Sequence, residues 1–356
     1  DPTGEFMTFF KPLLTGLAVA SFSAVSLPAA AQHELTDPLH RLDPVDHPAS
    51  ENIIPDNTAA TMTPSAPSAI ELTDNPSVTI SRIEFVGTHA PAAVAAAASP
   101  FIGKAADIET IKTLTAAMTA AYQQSNIALF TIIVPEQDLS GGIVKVMIAE
   151  GYIESLAFKG EIEGHDLKRV RIYADKLKAE RPLTRRSFER YLSLINDIPG
   201  IAAKPSLQIG SKRGAVRLTL DLDFKKPTVS AGFTTRTSSL VNDGQFSAEA
   251  KAFRLLRDGD ATRLNLAASA DFSESLYAGV QHMTPVLREG AALTIAAAWL
   301  RSKPEGTAIT GNAQIYSAEI AAPVIRSPKH NLVVKASLDA LNSENAAFGS
   351  IVATEK

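Results

Sequence analysis

Between Pro135 and Tyr152 the chain reads P-E-Q-D-L-S-G-G-I-V-K-V-M-I-A-E-G-Y. The cluster Asp138-Leu139-Ser140-Gly141-Gly142 is a turn signal between two short β-rich runs, residues 127–134 and 143–148. Gly151-Tyr152-Ile153 then opens another strand-like run. The spacing predicts a hairpin that closes one folding unit, with Gly151 and Tyr152 as the seam to the next.

Working outward, residues 78–86 alternate as V-T-I-S-R-I-E-F-V and stop at Gly87. Residues 92–98 form an alanine-rich helical run, ended by Pro100 and Gly103. Asp107 can cap a longer helix in which Ile108, Ile111, Leu114, Met118, Ala121 and Tyr122 share a face. The order over 76–150 is therefore strand, helix, helix, strand, strand. It recurs over 151–226. A strand at 153–158 precedes a helix at 166–178, with Leu167, Val170, Tyr173 and Leu177 on one side. Thr184 caps a helix over 185–196 that buries Phe188, Tyr191, Leu192 and Ile195, and Pro199-Gly200 ends it. Runs 204–210 and 214–224 complete a second hairpin. Two β-α-α-β-β units in tandem form an internal repeat.

After Lys226 the helical period gives way to a period of two. Seven strands are expected, at 228–236, 245–252, 261–272, 275–283, 291–300, 314–322 and 331–339. Phe246, Ala248, Ala250 and Ala252 share one face, and Gln245, Ser247, Glu249 and Lys251 the other. Leu264, Leu266, Ala268, Ala270 and Phe272 repeat the scheme, as do Leu332, Val334, Ala336 and Leu338. The turns hold Asp258-Gly259-Asp260, Arg288-Glu289-Gly290 and Pro304-Glu305-Gly306, and Trp299 suits a membrane interface. Runs of about ten residues, apolar on one side and polar on the other, are the signal of a transmembrane barrel. A soluble β-sandwich also alternates, but strand length and the small-residue face favour the barrel.

Export is written at the start. Residues 1–6 precede Met7 and read as an expression scar; residues 7–31 form a signal peptide, with Lys11, an apolar run over 13–25, and Leu27-Pro28-Ala29-Ala30-Ala31 as the cleavage site. The apolar run is too short for a spanning anchor, which needs about 20 residues. Residues 32–75 are a proline-rich linker, with prolines at 38, 44, 48, 55, 64 and 67 that allow Leu35, Leu39 and Leu42 one helical turn at most. His33, His40 and His47 lack rigid acidic or thiolate company, so no metal site is expected.

Composition narrows the function. The formal net charge is −4 and the pI is near 6.0, which argues against nucleic-acid binding. No cysteine is present, so thiol catalysis and cysteine metal sites are excluded. No G-x-S-x-G, H-E-x-x-H or phosphate-binding glycine loop appears. Asp221 and Asp223 share a strand face, a pattern of solvated rather than catalytic carboxylates. Neither an enzyme nor a cofactor is expected.

The hairpin at 135–142, with residues 83–87 before it and Glu150-Gly151-Tyr152-Ile153 after it, closely resembles the first POTRA domain of TpsB-type two-partner secretion transporters. This is the haemolysin and filamentous-adhesin secretion family, within the Omp85 superfamily. Residues 255–266, with the Gly259-Asp260 turn, and 277–285, followed by Gly290, look like that family's early barrel strands. The resemblance implies an α+β then all-β chain: POTRA domains at 76–150 and 151–226, then the first strands of an antiparallel transmembrane β-barrel at 227–356. Family barrels have about sixteen strands, so seven cannot close without exposed edges. The family's V-R-G-Y-type loop motif is absent, and a longer protein truncated within its barrel is expected. Prolines within 32–50 argue against the family's N-terminal plug helix.

The resemblance further implies a monomer in outer-membrane lipid, with POTRA domains in the periplasm that bind the secretion domain of a large, unfolded TpsA-type exoprotein. Neither ATP nor a cofactor is used. The expected cargo-contact residues lie on the second helices: Tyr122, Gln124, Phe188 and Tyr191, with the cations Arg185, Arg186 and Arg190. Read from the residues alone, Phe188 and Tyr191 also fit a core, and the arginines a solvated face. An outer-membrane assembly factor of the same superfamily is the alternative, against which stand the hairpin signature and the presence of two units rather than several.

Overall fold

A computed structural model describes residues 78–160, 162–235, 244–303, 306–348 and 350–355. The signal peptide, the proline-rich linker with its three histidines, Arg236, Pro304 and Glu305 lie outside the described residues.

The first unit contains β1 (Arg82–Gly87), α1 (Ala92–Ala98), α2 (Ile108–Gln124), β2 (Phe130–Ile133) and β3 (Ile143–Glu150). The Asp107 carboxylate accepts the Thr110 N–H at 2.7 Å and so satisfies a donor that the first turn of α2 leaves free. Ile111, Leu114, Met118 and Tyr122 on α2 then pack against Val144, Val146 and Ile148 of β3. The sheet order is β1-β3-β2, with β1 parallel and β2 antiparallel to β3.

The Pro135–Gly142 signature is a structured loop rather than a tight hairpin. The Gln137 side chain imitates a strand. Its Nε2 donates to the Lys145 carbonyl (3.0 Å), and its Oε1 accepts the Lys145 N–H (2.7 Å). Asp138 accepts both the N–H (2.9 Å) and the hydroxyl (2.8 Å) of Ser140. Leu139 is buried in the core, and the Gly142 carbonyl accepts the Ser81 N–H at 2.7 Å.

The second unit repeats the order: β4 (Tyr152–Gly160), α3 (Lys168–Ala179), α4 (Arg185–Asn196), β5 (Ile201–Ile209) and β6 (Ala215–Phe224). Its sheet order, β4-β6-β5, has the same parallel and antiparallel pairings. Thr184 caps α4 by accepting the Ser187 N–H at 3.3 Å. Both units therefore share one topology on different sequences. Backbone bonds stitch them together. Gly151 N–H donates to Leu129 O (2.7 Å), Ala128 N–H to Leu183 O (2.9 Å), and Arg185 N–H to Asn126 O (2.7 Å). A Cβ on Gly151 would lie 2.5 Å from the Cβ of Leu129, so the seam admits no larger residue without displacement.

A single antiparallel sheet follows, of eight strands in sequence order. They are β7 (Thr228–Thr234), β8 (Gln245–Phe253), β9 (Ala261–Ser269), β10 (Ser275–Pro285), β11 (Ala292–Ser302), β12 (Ile309–Arg326), β13 (Asn331–Ala347) and β14 (Ser350–Glu355). The register aligns Val229, Ala250, Leu264, Val280, Ala297, Tyr316 and Ala340 in one apolar row across seven strands. One residue along, the row reads Thr228, Lys251, Arg263, Gln281, Ala296, Ser317 and Asp339. Because strand side chains alternate, these rows lie on opposite faces. Leu264 (41%), Val280 (44%) and Tyr316 (50%) are exposed, whereas Arg263 (8%) and Gln281 (5%) are covered. The polar face carries the ion pairs Arg263–Glu249 (3.8 Å) and Lys335–Glu319 (3.3 Å).

Among the described residues no second sheet pairs its face with the apolar rows, so the sandwich reading fails and the barrel-type sheet holds. Two corrections concern its strands. An eighth strand, β14, joins the seven expected, and β12 and β13 run to 18 and 17 residues. Both extend past the segments where alternation is clean. Among the described residues no helix is long and apolar enough to cross a membrane.

Candidate partner-binding surfaces

The structure separates the residues expected to contact a partner. Tyr122 is fully buried on α2, stacked on Phe130 at 4.6 Å, with its hydroxyl donating to Glu150 Oε1 at 3.4 Å. Phe188 is buried in the second core. Tyr191 packs half-buried against that core, stacked on Tyr173 at 6.3 Å. Gln124 and Arg186 are exposed. Arg185 lies at the seam between the units, where its N–H donates to Asn126 O (2.7 Å). Its Nε and Nη2 are shut from solvent without a hydrogen-bond partner among the described residues.

Arg190 belongs to a different contact. Its guanidinium donates to the carbonyls of Val324 (3.0 Å) and Pro323 (3.2 Å) near the end of β12. Two turns at one end of the eight-stranded sheet, at 254–260 and 286–291, and the end of β12 meet α3 and α4. The Arg169 N–H donates to Asp258 Oδ2 (2.8 Å), and its guanidinium to Leu287 O (2.8 Å). Lys176 pairs with Glu289, and Arg326 with Asp197. The last residues of β12, 322–326, extend beyond its pairing with β11, and Pro323, Val324 and Arg326 among them reach α4. A polar cavity of ≈ 420 Å³ remains between α3 and the turns, lined by Asp166, Arg169, Asp258 and Thr284 among others.

This contact changes the meaning of the cationic helices. Arg169, Lys176 and Arg190 are anchors onto turn carbonyls and carboxylates, so their charges are spent within the chain. Burial pushes the Asp258 carboxyl up, with the N–H and charge of Arg169 opposing. Lys176 is pushed up in turn by the Glu289 carboxylate. Sequence reasoning missed Arg169, Lys176, Asp197 and Arg326. The available signal was weak: charged positions on helix faces, and turns rich in Asp, Glu and Gly.

What stays open is the outer face and free edge of the first sheet. Among the described residues β2 bonds to β3 on one side and to no strand on the other. An edge of that kind can accept an extended segment as an added strand.

Residues 78–151 match the family model described as POTRA domain, ShlB-type. The chain is 21% identical over 247 residues to the heme/hemopexin transporter protein HuxB of Haemophilus influenzae, covering 68% of this chain and 44% of that protein. Among solved structures, CdiB from Escherichia coli aligns with a TM-score of 0.61 and 18% identity, over 81% of this chain and 55% of that one. The chain thus spans about half the length of these relatives.

Proposed function

We propose that the chain is a TpsB-type transporter of the Omp85 superfamily, supported by the ShlB-type POTRA match and the likeness to HuxB, and that it lies in the outer membrane with both β-α-α-β-β units in the periplasm. There the units hold the secretion domain of a large TpsA-type exoprotein and deliver it to a conduit whose wall includes the eight-stranded sheet. The observation that carries this reading is the docking of the second unit onto two turns and the end of β12 at one end of the sheet. A captured segment would be held at a fixed position beside the mouth instead of on a flexible tether. The opposite faces of the sheet suit lipid outside and a polar path inside. No ATP or cofactor enters the scheme, and folding of cargo outside the cell would provide the direction.

Deletion of the gene in its native host tests the reading. The expected result is a large, repeat-rich exoprotein that stays in the periplasm and returns to the medium on complementation. A fall in outer-membrane proteins generally, with export of the exoprotein unchanged, would instead assign the chain to barrel assembly.

A further inference from the structure

At the end of the eight-stranded sheet that meets α3 and α4, three segments repeat one pattern, an apolar pair followed by arginine. They are Leu255-Leu256-Arg257 after β8, Val286-Leu287-Arg288 after β10 and Val324-Ile325-Arg326 at the end of β12. All six apolar side chains are exposed, Leu256 at 76% and Leu287 at 58%.

The exposure is built in. Asp260, fully buried, accepts the N–H groups of Leu255 (2.8 Å), Leu256 (2.9 Å) and Arg257 (2.7 Å). Arg169 donates to the Leu287 carbonyl (2.8 Å), and Arg190 to the Val324 carbonyl (3.0 Å). Each backbone is thus held from within the chain while its apolar side chains stay outside. Apolar pairs presented in this way mark an interaction surface. They border the strands whose exposed apolar row contains Leu264, Val280 and Tyr316.

Charge selects the occupant. Arg257 and Arg288 are exposed, as is Lys329 just beyond the third segment. None of the three has a carboxylate within 4.0 Å among the described residues. Acids at this end are engaged within the chain: Asp260 with its three N–H groups, Asp258 with Arg169, Glu289 with Lys176, and Asp197 with Arg326. Asp166 is exposed, but Lys168 and Arg257 line the same cavity with it. What these segments turn outward is apolar and cationic.

We propose that the three segments form a collar that binds anionic phospholipid. The apolar pairs enter the acyl region, and Arg257, Arg288 and Lys329 take headgroup phosphates. A guanidinium directly after an apolar pair keeps its stem among acyl chains and its charge at headgroup level. An acidic protein would use the cations alone, whereas six apolar side chains spread over three strand ends suit lipid. Because Arg169 and Arg190 grip the same segments, the collar also ties the second unit to the membrane surface. This rests on the reading that the chain lies in the outer membrane, and it names the lipid class that its rim selects.

The test titrates the whole chain, in micelles of a neutral detergent, with phosphatidylglycerol or phosphatidylcholine, read by native mass spectrometry. Phosphatidylglycerol should bind about 30-fold more tightly, as two surface arginines imply. Arg257→Gln/Arg288→Gln should bring the lipids close to parity. Lys145→Gln/Lys212→Gln, which removes two exposed cations elsewhere, should leave the preference intact. Leu255→Ser/Leu256→Ser should weaken both lipids. All the substituted side chains are exposed, so circular dichroism melting should be unchanged. Equal binding of the two lipids, or a preference lost equally in both glutamine variants, overturns the proposal. So does displacement of phosphatidylglycerol by inorganic phosphate with the leucine variant unaffected, which would make the arginines a plain anion site. Tight binding of polyglutamate in place of phosphatidylglycerol overturns it too, and would make the collar a protein-docking surface. Failure here, with the exoprotein still trapped by gene deletion, removes the collar and leaves export standing. An intact lipid preference with no trapped exoprotein does the opposite.

Discussion

Arg326 closes on Asp197 through two parallel contacts, Nε to Oδ2 and Nη2 to Oδ1, each 2.6 Å. Asp197 is the C-cap of α4, where the helix dipole already places partial negative charge, so its carboxylate depends on a cation. The side chains are 10% and 18% exposed, and the pair bridges the end of β12 to the second β-α-α-β-β unit. Removing one partner leaves a largely desolvated charge unpaired. Arg326→Ala should therefore destabilise the docked unit by about 2–3 kcal/mol, and a cycle with Asp197→Ala should show coupling of about 1–3 kcal/mol. Urea unfolding of the chain in micelles measures both. Strictly additive losses would mean that the pair does not hold the junction.

Gly290 fits the 286–291 turn onto α4. Its φ is +91°, and a Cβ there would stand 2.5 Å from Leu194 Cδ2 and 2.9 Å from Pro323 Cγ. Gly290→Ala should cost about 2–3 kcal/mol, from backbone strain together with overpacking. Gly306→Ala is the matched control, because Gly306 also has a positive φ (+68°) but nothing within 4 Å of the added carbon. Equal losses at the two sites would mean that packing of the turn on α4 contributes nothing.

Glu150, at the seam between the units, gives the protein an acid-side dependence. Burial raises its carboxyl above the ordinary 4.5, while the Tyr122 hydroxyl and His89 pull it down. The folded chain therefore holds this proton more tightly than the unfolded chain does. The resulting stabilisation is complete below pH 4.5 and is lost as pH rises through the elevated value. Glu150→Gln, which can still accept from Tyr122, should make the chain more stable than wild type at pH 7, with the difference closing as pH falls toward 4.5. Parallel stability–pH curves for the two proteins would refute this.

Phe188 and Arg186 lie two residues apart on α4 and should respond differently. Phe188→Ala empties a buried core position and should cost about 3–5 kcal/mol. Arg186→Ala alters an exposed side chain and should stay within about 0.5 kcal/mol. Denaturant midpoints of the two variants decide the matter, and a mild effect at Phe188 would contradict its place in the core.

Legibility followed the range of the interactions. Helix α4 could be read as Arg185–Asn196 because its stop and start signals, Thr184 and Pro199-Gly200, are local. The full length of β12 could not. Pro323 and the polar run around Asn312 interrupt the alternation, and pairing with a distant β13 overrides that local signal. The faces of the barrel strands were legible because period-two alternation states them directly. Arg190 was not, because its acceptors are carbonyls of Pro323 and Val324, far downstream in sequence. A charged helix face reads the same whether water or another domain covers it. The 135–142 signature was legible as a family mark, while the strand-like role of Gln137 emerged only from its bonds to Lys145.

The central claim is that the two POTRA units select a secretion domain. The direct measurement is capture by the immobilised chain, in micelles, of two competitors at equal concentration: a purified N-terminal secretion domain of a TpsA-type exoprotein, and an unfolded outer-membrane barrel precursor. Selective, saturable retention of the secretion domain is the predicted result. Retention of the barrel precursor, with the secretion domain left in the flow-through, would contradict the account.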